Sequence, residues 1–146
     1  MVIGQRELIE SVAVLMLAVF VSAGCGGGDE RPSASIQGTV MLDGEPLSVG
    51  SVQFTSTKTG ESAYANLDDT GRYLVKFPEA DIGTEYQVTV GKPVEENVDA
   101  NELAMNPPEP VKIRIPQRYW NRATSGLTTT ISSAGENTFN IDLRSR

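Results

Sequence analysis

The run Tyr64-Ala65-Asn66-Leu67-Asp68-Asp69-Thr70-Gly71-Arg72-Tyr73-Leu74-Val75 carries two strand patterns on either side of one acidic turn. Ala63, Ala65 and Leu67 fall on one face of the first strand and Tyr64 on the other, because side chains alternate along an extended chain. Tyr73, Val75 and Phe77 share one face of the second, which Pro78 ends. Between them, Asp68-Asp69-Thr70-Gly71 supplies carboxylates that accept turn N–H groups and a glycine for the reversal.

The same pattern extends in both directions. Upstream, Ile36-Gln37-Gly38-Thr39-Val40-Met41-Leu42 reads as a strand, Asp43-Gly44 as a hairpin turn, and Ser51-Val52-Gln53-Phe54-Thr55 as the next strand. Lys58-Thr59-Gly60-Glu61 turns the chain into the Ser62–Leu67 strand. Downstream, Tyr86–Val90 alternates cleanly, and Leu127–Ile131 and Thr138–Leu143 form the last two strands, joined by Ala134–Asn137. Lys92–Pro110 breaks the rhythm as a long acidic loop between prolines, with a helical turn expected near Asn101–Met105 and a short extension at Val111–Ile115. About seven short strands with regular turns predict an all-β chain, an antiparallel β-sandwich of the transthyretin-like or Ig-like kind.

Composition narrows the chemistry. The 146 residues contain no histidine, which removes the commonest general base and the commonest metal ligand together. One cysteine excludes an internal disulfide and a Cys-rich zinc site. A Ser–Lys catalytic pair has no support, since Lys58, Lys76, Lys92 and Lys112 sit in no recognisable motif. The expectation is therefore a protein without enzymatic activity and without a cofactor. The net charge is −7, and −6 from Cys25 onward, so the chain repels phosphate backbones and nucleic acid is not an expected partner.

The N-terminal part reads differently. Ser11–Ala23 is an uncharged apolar run, short for a membrane span but suited to the core of a signal peptide. A buried helix is the alternative, and no amphipathic period supports it. Ser22-Ala23-Gly24-Cys25 resembles a bacterial lipoprotein signal, in which small residues precede a cysteine that is acylated and becomes the mature N-terminus. The resemblance implies a signal peptide over 1–24, lipidation of Cys25, and a membrane-anchored protein of the cell envelope facing the periplasm or exterior. Residues 25–35 then form a flexible tether, reaching on the order of 30 Å when extended, and 36–143 the folded domain.

Within 36–143, Gly38-Thr39-Val40, Asp43-Gly44-Glu45-Pro46-Leu47, Gly50-Ser51-Val52-Gln53-Phe54 and Asp68 with Gly71-Arg72-Tyr73 resemble the carboxypeptidase regulatory-like domain. Ile115-Pro116-Gln117-Arg118-Tyr119 and Ser125-Gly126-Leu127-Thr128 resemble its version in small lipoproteins of planctomycete-type bacteria. The resemblance implies a transthyretin-like sandwich without catalytic residues, serving as an accessory or surface module. The hydrolase branch of that fold depends on histidines, which this chain lacks.

Two sets of residues are candidates for binding. Asp68 and Asp69, with Asp43 or Glu45, offer oxygen ligands to calcium but lack the spacing of a calcium loop, and turn stabilisation is the better reading. Tyr119 and Trp120 are the candidate binding residues, an aromatic platform for a sugar ring or a protein partner, with one expected in the core and the other exposed. Arg118 and Arg122 flank them, and either is placed to stack on the Trp120 ring. The expected partners are the membrane through the lipid anchor and an envelope protein, or alternatively a glycan.

Overall fold

The computed structural model describes residues 30–96, 100–107, 109 and 112–146. The apolar run Ser11–Ala23, Cys25 and the first tether residues lie outside these, as do Asn97, Val98, Asp99, Pro108 and Pro110 of the long loop and Val111 after it. A compact unit runs from Arg31 to Arg146. Among the described residues no helix is long and apolar enough to cross a membrane.

Among the described residues nine strands form two sheets. The first sheet is centred on β1 (Ala34–Leu42), which has neighbours along both edges. On one side it pairs antiparallel with β5 (Arg72–Phe77) and then with β2 (Glu45–Pro46). On the other it pairs with β8 (Gly135–Thr138) and then with β9 (Ile141–Leu143), both parallel. The second sheet is antiparallel throughout, in the order β4 (Ser62–Asn66), β3 (Ser51–Ser56), β6 (Glu85–Gly91), β7 (Leu127–Thr130). The chain is thus an all-β sandwich, as the strand spacing predicts, mostly antiparallel but with β8 and β9 parallel to β1, and with two departures from the expected seven or so strands.

The first departure is β2, a two-residue strand returned onto β1 by Asp43 at φ 53° and Gly44 at φ 88°. Two positive φ angles in a two-residue loop give the turn a hairpin twist. The second is at the C-terminus: Gly135–Asn137, expected as part of the turn joining the last two strands, belong to β8, which ends at Thr138, and the strand expected over Thr138–Leu143 is interrupted at Phe139 and Asn140 before β9. The break lies against Gly38 of β1. A Cβ at Gly38 would stand 2.0 Å from the Phe139 carbonyl oxygen, so only glycine admits the crossing. Gln37 O accepts from Phe139 N at 2.9 Å, Thr39 N donates to Asn140 Oδ1 at 3.1 Å, and the Tyr73 hydroxyl donates to Phe139 O.

The acidic turn that separates β4 from β5 is a corner between the two sheets. β4 is the edge of one sheet and β5 pairs with β1 in the other, so Asp68–Gly71 closes one side of the sandwich. Asp68 Oδ1 accepts from Thr70 N at 2.8 Å, Thr70 Oγ1 at 2.7 Å and Arg72 N at 2.9 Å. These bonds, the Thr70 hydroxyl first, hold its carboxyl below the usual carboxylate range. Asp43 Oδ1 is likewise engaged, by Ser145 N at 3.0 Å. Asp68 therefore acts within its own turn, whereas Asp43 ties its hairpin to the C-terminal segment at Ser145.

The core lies between the sheets. Ile36, Val40, Val75 and Ile141 from the β1 sheet meet Val52, Phe54, Val88 and Val90 from the β3 sheet, all fully buried. Phe54 sits at the centre, with ring centroids 5.9 Å from Tyr73, 6.2 Å from Phe77 and 6.3 Å from Phe139. These edge-on and tilted contacts suit aromatic quadrupoles.

The start of the unit is fastened by charge. Arg31 reaches Glu61 at 2.5 Å, Glu79 at 2.7 Å and Asp81 at 3.2 Å. Asp81 is buried, and its carboxylate also accepts from Ser56 Oγ at 2.5 Å and Thr59 Oγ1 at 2.8 Å. The Ser56 hydrogen bond is the main cause that keeps its carboxyl below the usual range. The chain is therefore already held at Arg31, ahead of the first strand.

Candidate functional site

The strands of the β3 sheet turn alternate residues outward. Ser62 and Tyr64 on β4, Gln53 and Thr55 on β3, and Gln87 and Thr89 on β6 share this outer face, because the register pairs Gln53 with Tyr64 and Thr89, and Thr55 with Ser62 and Gln87. The inward partners Val52, Phe54, Val88 and Val90 are buried in the core. The outer face is thus a rigid polar floor, fixed from below by close packing.

A second segment builds a wall on that floor. After the buried Ile115, a 3-10 turn over Gln117–Trp120 and a short helix over Arg122–Ser125 precede β7. Asn121 caps the helix by accepting from Ala123 N at 2.9 Å, and Gly126 ends it in the left-handed conformation. The Thr124 hydroxyl donates to Arg118 O at 2.6 Å, binding turn and helix together.

The adjacent aromatics Tyr119 and Trp120 separate, although they lie on a 3-10 turn where the sequence alternation assumed a strand. Tyr119 is buried. Its hydroxyl takes donations from Arg118 Nη2 at 2.8 Å and Arg144 N at 3.1 Å, and Arg118 also lies 4.7 Å above the ring. Tyr119 and Arg118 thereby hold the C-terminal residues, with Arg118 Nη2 also donating to Arg144 O at 2.5 Å. The Tyr119 ring faces the protein.

Trp120 is 36% exposed, and its indole stands over Gly91 at the end of β6. The cation on it is Lys92, with Nζ 5.5 Å from the ring centroid, where the sequence placed Arg118 or Arg122. Arg118 is held by Tyr119 and the chain end, which explains its absence from the Trp120 ring. Lys92 is set by its neighbours: Ser51 Oγ donates to Lys92 O at 2.6 Å, and two residues on, the Asn66 amide pairs with Val94 N and O at 2.8 Å each.

Between floor and wall lies a shallow cleft of about 430 Å³, lined by Gln53, Thr55, Gly60, Ser62, Thr89, Trp120, Asn121 and Arg122. Its size is that of a small-molecule site. Its lining is dominated by amides, hydroxyls and one aromatic ring, and Arg122 is the one charged residue among the lining residues. Glu61, beside Ser62, is engaged by Arg31. Gln53, Thr55, Ser62 and Thr89 escaped sequence reasoning because they are ordinary outward positions of strands. The register alone brings them together. Cys25 lies outside the described residues.

No protein-family model matches this chain, and no curated protein matches it in sequence.

Proposed function

We propose that the protein is a lipid-anchored component of a bacterial cell envelope, acylated at Cys25. It displays a non-catalytic sandwich of the carboxypeptidase regulatory-like kind as a structural or interaction module. The apolar run before Cys25 supports the anchor. The observation that carries the display role is the clasp at Arg31, which fixes the folded unit to the chain at the end of the tether sequence through three carboxylates.

Intact-mass measurement of the protein from a membrane fraction of its native host tests the anchor. The expected mass is that of a chain beginning at Cys25 with added acyl groups. An unacylated chain retaining residues 1–24 removes the proposal.

A second reading, a glycan-binding surface module, is favoured by the Trp120 cleft. An exposed indole beside a shallow floor of hydroxyls and amides offers a sugar ring both an apolar face to stack on and partners for its hydroxyl groups.

A further inference from the structure

We infer that the outer face of the β3 sheet is a cleft for a carboxylated oligosaccharide, a chain of uronic-acid-type sugars, held between Trp120 and Tyr64. This rests on the glycan reading and goes further, naming a second aromatic contact and the charge of the sugar.

The second contact follows from the register. Tyr64 is 43% exposed, stands outward on β4 and is paired with Gln53, which is paired in turn with Thr89 on β6. Trp120 rises over Gly91 of the same β6. Two strand spacings separate β4 from β6, so Tyr64, on the same outer face but beyond the cleft's own lining residues, stands about 10 Å across the strands from β6. That width takes a short stretch of sugar chain lying across the strands. The floor presents the exposed Gln53 amide and Ser62, whose hydroxyl is bonded to that of Thr55 at 2.7 Å, above the largely buried Thr55 and Thr89, neutral groups that both donate and accept.

The charge follows from the cations. In a chain of net charge −7, the two charged side chains placed at the indole and in the cleft are Lys92 and Arg122, both positive. A neutral sugar's hydroxyl oxygens accept only the weaker bond to a neutral acceptor from them, whereas a carboxylate gains a hydrogen bond with charge on both partners. Aromatic rings with flanking cations also suit single-stranded nucleic acid, and the negative field of the whole chain opposes either polyanion; the floor of amides and hydroxyls beside the ring favours the sugar.

Trp120 is the single tryptophan of the chain, so its fluorescence reports on the cleft directly. The full chain in detergent is titrated with an oligogalacturonate, with a neutral cello-oligosaccharide of equal length and with an oligothymidylate. The expected result is a saturable change in emission with the oligogalacturonate that weakens as salt is raised. The double variant Lys92→Gln/Arg122→Gln keeps the reporter and is expected to bind it about five- to tenfold more weakly, the loss of one or two exposed charge contacts. Tyr64→Ala, followed calorimetrically beside Trp120→Phe, is expected to weaken it as well. Equal binding of the neutral and carboxylated sugars overturns the charge assignment while the glycan reading stands. Binding of neither sugar overturns both. Preference for the oligothymidylate overturns the sugar in favour of nucleic acid.

Discussion

Replacing Gly38 with alanine perturbs the point where the chain passes from β8 to β9 alongside the central strand. The added Cβ lies 2.0 Å from Phe139 O and 2.7 Å from Phe139 C, a full ångström inside the 3.0 Å that real Cβ contacts respect. The obstacle is backbone, so no side-chain rotation relieves it. Relief requires Phe139 to move away from β1, and three hydrogen bonds oppose that: Phe139 N to Gln37 O, Thr39 N to Asn140 Oδ1, and the Tyr73 hydroxyl to Phe139 O. At a net worth of about 1 kcal/mol each, their loss destabilises the fold by about 3 kcal/mol. Partial loss of the parallel pairing with β8 and β9 adds to that. Urea unfolding of Gly38→Ala, followed by circular dichroism, is expected to show an unchanged slope and a midpoint lowered by roughly 2 M for a slope near 1.5 kcal/mol/M. A variant within about 0.5 kcal/mol of the parent refutes the close approach and the path of the chain through Phe139 and Asn140.

Other perturbations probe separate parts of the molecule. Phe54→Ala removes a fully buried ring from contact with Tyr73, Phe77 and Phe139 and is expected to cost about 3–5 kcal/mol in the same unfolding assay. Tyr119→Phe deletes the acceptor for Arg118 and Arg144, with an expected cost of about 1 kcal/mol and faster hydrogen exchange at the Arg144 amide; unchanged exchange contradicts the clasp on the chain end. Asp68 and Asp81 both have carboxyls held below their ordinary value, so the unfolded chain binds their protons more readily than the folded one. Their stabilisation is complete above about pH 4, the unfolded range, and is lost as pH falls through the lower folded values. Asp81→Asn is expected to flatten the acid limb of a Tm-versus-pH curve, and an unaltered limb would show that Asp81 does not contribute to it.

The sequence made the turns and strands readable wherever the information was local. Asp68 accepting from Thr70 and Arg72, the Asp43–Gly44 hairpin and the helical turn now seen at Ala100–Met105 all follow from residues within a few positions of one another. The alternation in β3, β5 and β6 likewise gives the inward faces that pack the core. What stayed hidden depends on distant partners. Nothing near Thr138–Leu143 signals a break, because its cause is Gly38, far away in the chain. Arg31 looked like part of a flexible tether, since Glu61, Glu79 and Asp81 meet it only in the folded sandwich. Tyr119 and Trp120 stood out as aromatics, yet the polar floor that gives Trp120 a cleft is assembled by strand register. Lys92 belonged to a loop of no evident role until Ser51 and Asn66 fixed the segment beside the indole.

The proposed glycan cleft lies on the outer face of the β3 sheet. An amide chemical-shift titration of the full chain with oligogalacturonate locates it most directly. The account predicts saturable shifts concentrated at Gln53, Thr55, Tyr64, Thr89 and the Trp120 indole N–H. Shifts concentrated instead along β5 and the outer side of the β1 sheet would contradict it.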